Sequence, residues 1–196
     1  MKNITITCAA VAHSADIARL IMLAMSDDCC RYLAGEGHTL DDFRRMMERL
    51  VRMDDSQYSW RNALVALNGD GSVAGACVAY DGADLHRLRQ RFFEAANECL
   101  QRDFTGIADE TFPGEYYIDS LAVYPQYRRR GIAAALLKAM SQRAFAVGLP
   151  AALLVDKQNP NAERLYSSLG FRRVSDAVWG GHEMRRMHLT PQWTAF

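Results

Sequence analysis

Two places in the chain combine residue types that could do chemistry. At Asp119 a carboxylate stands inside an apolar run, Tyr117-Ile-Asp-Ser-Leu-Ala-Val123, and a few residues later Arg128-Arg129-Arg130-Gly131 sets three guanidinium groups before a glycine. A carboxylate in an apolar strand is costly to bury without a partner. It is read either as a base that takes up a proton or as half of a structural ion pair with an arginine of the last two strands. The basic turn invites a different chemistry. Unpaired N–H groups in the first turn of a helix, together with the positive end of the helix dipole, attract phosphate. Gly131 allows the backbone to approach such a ligand closely.

A strand, a turn and a helix in direct succession must position these groups. Residues 116 to 123 are β-branched and aromatic enough for a strand, Pro125 stops it, and residues 132 to 146 have helical apolar spacing. Regular alternation puts Tyr117, Asp119, Leu121 and Val123 on one side of that strand and Ile118, Ser120 and Ala122 on the other. Nucleotide folds fit poorly: no Gly-x-x-x-x-Gly-Lys-Ser/Thr occurs, and a single glycine past mid-chain is not the dinucleotide fingerprint. Downstream, Gly148 and Pro150 end the helix, residues 151 to 155 suit a buried strand, and Asn159-Pro160-Asn161 opens another helix. That helix carries Ala162, Leu165, Tyr166 and Leu169, and Gly170-Phe171 ends it. Periodicity alone favours Tyr166 as a packed aromatic.

Arg128-x-x-Gly131-x-Ala133, followed by Asn159-Pro-Asn-Ala-Glu-Arg-Leu-Tyr-Ser-Ser-Leu-Gly-Phe171, resembles the linked motifs of the GCN5-related N-acetyltransferases. The resemblance implies an acyl-CoA N-acyltransferase fold of the α/β type, a mixed sheet of about seven strands flanked by helices. It implies acetyl-CoA as acyl donor and direct attack by a primary amine in a ternary complex. It also implies roles. Backbone groups of Leu121, Ala122 and Val123 would meet the pantetheine and thioester. N–H groups of Arg128, Arg129, Arg130, Gly131, Ile132 and Ala133 would hold the pyrophosphate. Asn159 would cap its helix and touch the coenzyme, Tyr166 would be the general acid beside the sulfur, and Asp119 the base. A module that binds acyl-CoA without turnover is the alternative class, and the presence of both Tyr166 and Asp119 favours the enzyme.

Elsewhere the patterning predicts one domain over 1–196 with strands at 4–9, 63–67, 73–80, 172–179 and 183–189 and helices at 14–24 and 40–52. Residues 26 to 38 show no clear period. Residues 81–114 separate strands three and four as an insert, in which Leu85, Leu88, Phe92, Ala95, Ala96, Cys99 and Leu100 recur at helical spacing. This helical insert is expected to lie near the acceptor entrance.

A formal net charge of zero argues against a nucleic-acid binder, whose footprint would be strongly basic. Five cysteines without a Cys-x-x-Cys suggest neither a disulfide framework nor a zinc site, and reduced thiols fit a cytoplasmic protein. No apolar run approaches a membrane span, and the five histidines lack metal-ligand spacing, so neither membrane nor metal is expected. Cys29-Cys30 has no evident activating partner and reads as idle thiol. Tyr32, His38, Tyr80, Tyr117, Trp179 and His182 are conceivable acceptor-lining groups. Acids at Asp27, Asp28, Glu36, Asp81 and Asp84 favour a cationic small-molecule amine over a peptide amine. A monomer or homodimer is expected, the latter through an exposed strand at the C-terminal edge of the sheet.

Overall fold

A computed structural model describes residues 4–191 of the chain. Seven strands form one sheet: β1 (Thr5–Cys8), β2 (Ala63–Leu67), β3 (Val73–Asp81), β4 (Tyr116–Val123), β5 (Ala151–Asp156), β6 (Arg172–Trp179) and β7 (His182–Leu189). Their order across the sheet is β1-β2-β3-β4-β5-β7-β6. Only β4 and β5 run parallel; every other neighbouring pair is antiparallel. The mixed sheet and its flanking helices are those that the resemblance implies, and the helical insertion between β3 and β4 is the one that the patterning predicts.

Alternating residues of the central strands split the core in two. Ala63, Val65, Ala76 and Val78 face α1 (Ser14–Met25), α2 (Asp27–Ala34), α3 (Leu40–Arg52) and α4 (Leu85–Leu100), where Ile17, Ile21, Phe43, Met47, Leu50 and Phe92 are buried. Leu64, Ala66, Cys77 and Ala79 face α5 (Ile132–Ala146) and α6 (Pro160–Ser168) across Leu136, Leu137, Met140 and Phe171. Truncating any one of these large side chains to alanine is expected to cost about 2–5 kcal/mol.

Helix starts follow their caps. Thr39 Oγ1 accepts from the Asp42 N–H at 3.1 Å while Asp42 Oδ2 accepts from the Thr39 N–H at 2.9 Å, a reciprocal box that opens α3. The segment read as aperiodic contains α2 instead. Ser26, at φ 76°, accepts from the Cys29 N–H at 3.4 Å, and Cys30, Leu33 and Ala34 form the buried stripe. Two turns give too few repeats for the period to emerge from the surrounding acids. The insert forms α4 and then an irregular segment, 101–115, that returns to β4.

β4 departs from regular alternation. Val78 faces Ser120 and its neighbour Ala79 faces Ile118, so Asp119 is an extra, unopposed residue. The bulge shifts the phase of every residue after it. Ile118, Leu121 and Val123 pack on the α5 side, whereas Tyr117 joins Tyr80, Leu85 and Leu88 on the α4 side and Ala122 packs with the α1–α3 core. Leu121 and Val123 therefore do not share a side with Tyr117, contrary to the regular-strand expectation.

Candidate active site

The centre of the sheet is split. β4 and β5 are paired only at Tyr116↔Ala151 and Tyr117↔Ala152. Beyond that point β4 stays with β3 as far as Val123, and β5 stays with β7 as far as Asp156. A wedge therefore opens between two strands whose inner edges carry unpaired backbone groups. Tyr124 turns its N–H to Ala74 O of β3 at 2.9 Å, and Tyr116 turns its own to Pro150 O on the β5 side at 2.9 Å. Alternation between these fixed points directs the Leu121 and Val123 N–H groups into the wedge. Ala122 does not share that orientation: its carbonyl lies against Gly75 of β3.

The basic turn closes the wide end of the wedge. Arg129 (φ 61°) and Gly131 (φ 77°) both adopt left-handed backbone conformations, and Gly131 is the residue from which α5 springs. The Arg128 N–H donates to Pro125 O at 3.2 Å and its Nε to Val123 O at 3.1 Å, so Arg128 locks the strand end rather than offering its N–H. The free run begins one residue later. The N–H groups of Arg129, Arg130, Gly131, Ile132, Ala133 and Ala134 have no partner among the described residues, and the first bond of the helix runs from Ala135 to Gly131 O at 3.0 Å. Ile132 and Ala133 direct their side chains into or against the core. The result is a cradle of donors at a helix N-terminus, suited to a phosphate group.

On the α5 side, Tyr166 of α6 packs on Phe171 with ring centroids 6.0 Å apart. Its hydroxyl makes no hydrogen bond among the described residues. Burial, with a smaller contribution from Cys77 of β3, pushes the hydroxyl up to about 12, so it is protonated at neutral pH. Tyr166 packs in the same cluster as Leu121 of β4 and its cross-strand partner Cys77. Asn159 caps α6, its Oδ1 accepting from the Ala162 N–H at 3.1 Å, with Pro160 following.

On the α4 side, Asp119 forms no ion pair with any described residue, which removes the structural-pair reading. Its Oδ2 accepts from Ser120 Oγ at 2.7 Å. Burial and the nearby Glu110 raise the carboxyl to about 7, against smaller lowering effects of Ser120, Arg89 and Gln57. Tyr58, Tyr80 and Tyr117 surround it, each with its hydroxyl pushed up by burial and then by Asp119 itself. Tyr80 and Tyr117 stack edge to face at 6.0 Å. The arginines of the last strands go elsewhere: Arg185 pairs with Glu163, and Arg186 with the fully buried Glu115.

The other acceptor-lining residues read from sequence divide. Tyr32 and His38 line a separate recess of about 550 Å³ with Arg31 and Arg102. Trp179 donates from Nε1 to Ala108 O at 3.3 Å, tying the last hairpin to the insert, and His182 Nδ1 lies 3.0 Å from Asp156 Oδ2. Sequence reasoning missed Gln57, Tyr58, Arg89 and Glu110. Arg89 left a trace, a charge on the Leu85-Leu88-Phe92 face of α4, whereas Glu110 sits in a segment without periodicity. The Cys30 thiol is pushed up to about 12, by burial first and then by Cys29 and Asp27, and burial raises Cys29 also, which leaves no activated thiol there. Among the described residues no group of three or more His, Cys, Asp or Glu could hold a metal ion, and no helix is long and apolar enough to cross a membrane.

The model of the acetyltransferase (GNAT) family matches residues 27–171. Among solved structures, an acetyltransferase is 28% identical, with a TM-score of 0.79 over 94% of this chain and 97% of that one. An N-acetyltransferase from Staphylococcus aureus Mu50 is 22% identical, with a TM-score of 0.78 over 94% and 100% of the two chains. A chain of the NatC complex bound to Gag peptide and CoA is 16% identical, with a TM-score of 0.58 over 98% and 100%, a likeness of fold alone. No curated protein matches in sequence.

Proposed function

The chain belongs to the GNAT acetyltransferase family, and from that premise we propose that it moves the acetyl group of acetyl-CoA to the primary amine of a small molecule by direct attack in a ternary complex. The observation that carries this reading is the wedge between β4 and β5 with a donor cradle at its mouth and a carboxyl and a phenol on its two sides. The residues present fit the coenzyme. Six free N–H groups from Arg129 to Ala134 suit a pyrophosphate, and the Leu121 and Val123 N–H groups suit an extended amide chain laid along β4. Acetyl-CoA supplies a thioester carbonyl open to attack and a thiolate leaving group.

The chain's own groups then divide the proton work. A primary ammonium has a reference pKa of about 10.4 and must lose a proton before it can attack. Asp119, raised to about 7, is basic enough to accept that proton directly or through a water. Tyr166, protonated at neutral pH, can donate to the departing sulfur. Gly131, left-handed at φ 77°, brings the cradle close without a side chain in the way. Tyr58, Tyr80 and Tyr117 are all buried, and Tyr80 and Tyr117 pack with Leu85 and Leu88 of α4, surroundings that favour a slender alkylamine over a folded surface.

The test is acetyl-CoA titration by calorimetry, followed by thiol release with a panel of small primary amines and of peptides with free N-termini. Binding together with amine-dependent release is expected, greatest for small amines. Binding without release by any amine would mark an acyl-CoA sensor, and absence of binding would overturn the reading.

A further inference from the structure

The recess bordered by Tyr32 and His38 lies where the C-terminal ends of α2 and α4 come together. Ala34 and Leu100, the last residues of those helices, are buried in the core on the α1–α4 side, whereas the helix that opens from the donor cradle packs on the other face of the sheet. The recess is therefore a second site, apart from the cradle.

Its walls carry charge that the chain does not neutralise. From Arg19 to Arg91, each arginine except Arg31 pairs with a carboxylate. Arg31 and Arg102, which both line the recess, form no ion pair among the described residues. A guanidinium is always charged, and its planar fork matches carboxylate and phosphate oxygens. The helix C-termini favour cations at this place, and Arg102 Nη2 donates to Tyr32 O at 3.4 Å. That contact still leaves both guanidinium groups without a counter-ion. Glu36 borders the recess as well but pairs with neither arginine, so the two arginines outweigh it and the lining is net positive.

Arg102 is held from several sides. Its guanidinium stands 5.8 Å from the centroid of the Tyr32 ring and 5.4 Å from that of Phe104, and a Cβ on Gly35 would come within 2.9 Å of its Cδ. A guanidinium set against aromatic rings keeps its in-plane N–H groups for an acceptor. Arg102 Nε and His38 Nδ1 are buried without hydrogen-bond partners, two of five such side-chain atoms among the described residues. Such atoms are few in a native fold, and two beside one recess mark it as a place where the chain alone does not satisfy its polar groups.

We propose that this recess binds a small organic oxyanion, a carboxylate or a phosphate ester, through the guanidinium groups of Arg31 and Arg102, with Tyr32 as a platform for its apolar body. A cavity of about 550 Å³ suits a small molecule. Tyr32 is 70% exposed and free to take such a contact. The site stands whether or not the chain acetylates an amine.

The experiment titrates benzoate and phenyl phosphate by calorimetry, at low ionic strength, into wild type, Arg31→Gln, Arg102→Gln, Glu36→Gln and Gly131→Glu. At least one of the two compounds is expected to bind wild type, and which one does separates a carboxylate from a phosphate ligand. Arg31→Gln and Arg102→Gln should each weaken that binding by about tenfold. Glu36→Gln should tighten it, and Gly131→Glu should leave it unchanged. Opposite signs from neighbouring residues do not follow from loosening of the fold. Arg31 and Glu36 are exposed, so their variants still decide if Arg102→Gln does not fold. Binding that Gly131→Glu abolishes and the arginine variants keep would belong to the donor cradle and would overturn the proposal, as would binding of neither compound.

Discussion

Ser120 donates its hydroxyl to Asp119 Oδ2 at 2.7 Å although the two are adjacent in a strand. Neighbours in a regular strand point to opposite faces. They meet here because Asp119 is the extra residue of a bulge, with Val78 opposite Ser120 and Ala79 opposite Ile118. One inserted residue therefore has two effects. It brings the carboxyl to the Ser120 hydroxyl, and it rephases β4 so that the Leu121 and Val123 N–H groups enter the wedge beside β5. Bulges beside sites commonly re-aim side chains in this way.

The first prediction concerns stability against pH. Burial, and next Glu110, raise the Asp119 carboxyl from 3.8 to about 7. A carboxyl raised on folding binds more protons in the native state, so its contribution is intact below about pH 4 and lost as pH rises through about 7. Asp119→Asn is therefore expected to stabilise the protein at pH 8, on the order of 2 kcal/mol, and to change little at pH 4. Urea unfolding at the two pH values measures it. Destabilisation at pH 8 would show that the ionised carboxylate is better accommodated than its burial implies.

Gly131→Glu is expected to abolish acetyl-CoA binding. The position has φ 77° and opens α5, so any side chain is strained there, and a carboxylate would stand among the six free N–H groups as a competing anion. Gly131→Ala should retain weakened binding, because it adds the strain without the charge. Calorimetry on both variants separates the two effects, and full affinity in Gly131→Glu would remove the cradle from the binding site.

How far the sequence disclosed this arrangement depends on how local each signal is. α5 and β4 were readable to the residue because period, stop signal and cap all lie within their own segments. The run of free N–H groups was readable for the same reason from Arg129 to Ala133; Arg128 falls out of it because its bonds to Pro125 and Val123 depend on how the turn folds back, and Ala134, not read from sequence, joins it. α2 was missed because two turns cannot establish a period. The bulge was missed because an unopposed residue is defined by the partner strand, and no feature of Tyr117 to Val123 marks it. The buried polar cluster of Gln57, Arg89 and Glu110 was least legible, because its members come from three segments brought together only by the tertiary fold.

Tyr166→Phe is expected to lower kcat by roughly 10²-fold while leaving coenzyme affinity unchanged. The Tyr166 hydroxyl has no hydrogen-bond partner among the described residues, so its removal breaks no internal bond, and the ring keeps its packing on Phe171. Steady-state kinetics alongside calorimetry provide the check. A matching loss of affinity and turnover would make Tyr166 a packing residue, as its periodicity alone suggests.

Arg186→Met tests how the insert is fastened. Glu115, at the end of the insert, is fully buried. It pairs with Arg186, accepts from Thr111 Oγ1 at 2.6 Å and lies 2.8 Å from His188 Nε2. Burial pushes its carboxyl up, but His188, Thr111 and Arg186 together outweigh that and hold it below the ordinary value. A carboxyl depressed on folding contributes stability above its unfolded value of 4.5, and that contribution is lost as pH falls through the folded value. Removing Arg186 leaves the charge without its main counter-ion, at an expected cost of about 3 kcal/mol at pH 7. The deficit should shrink toward pH 4, where Glu115 in the variant takes up a proton. A deficit equal at both pH values would assign the loss instead to the packing of the guanidinium over the Phe112 ring, 4.5 Å from its centroid.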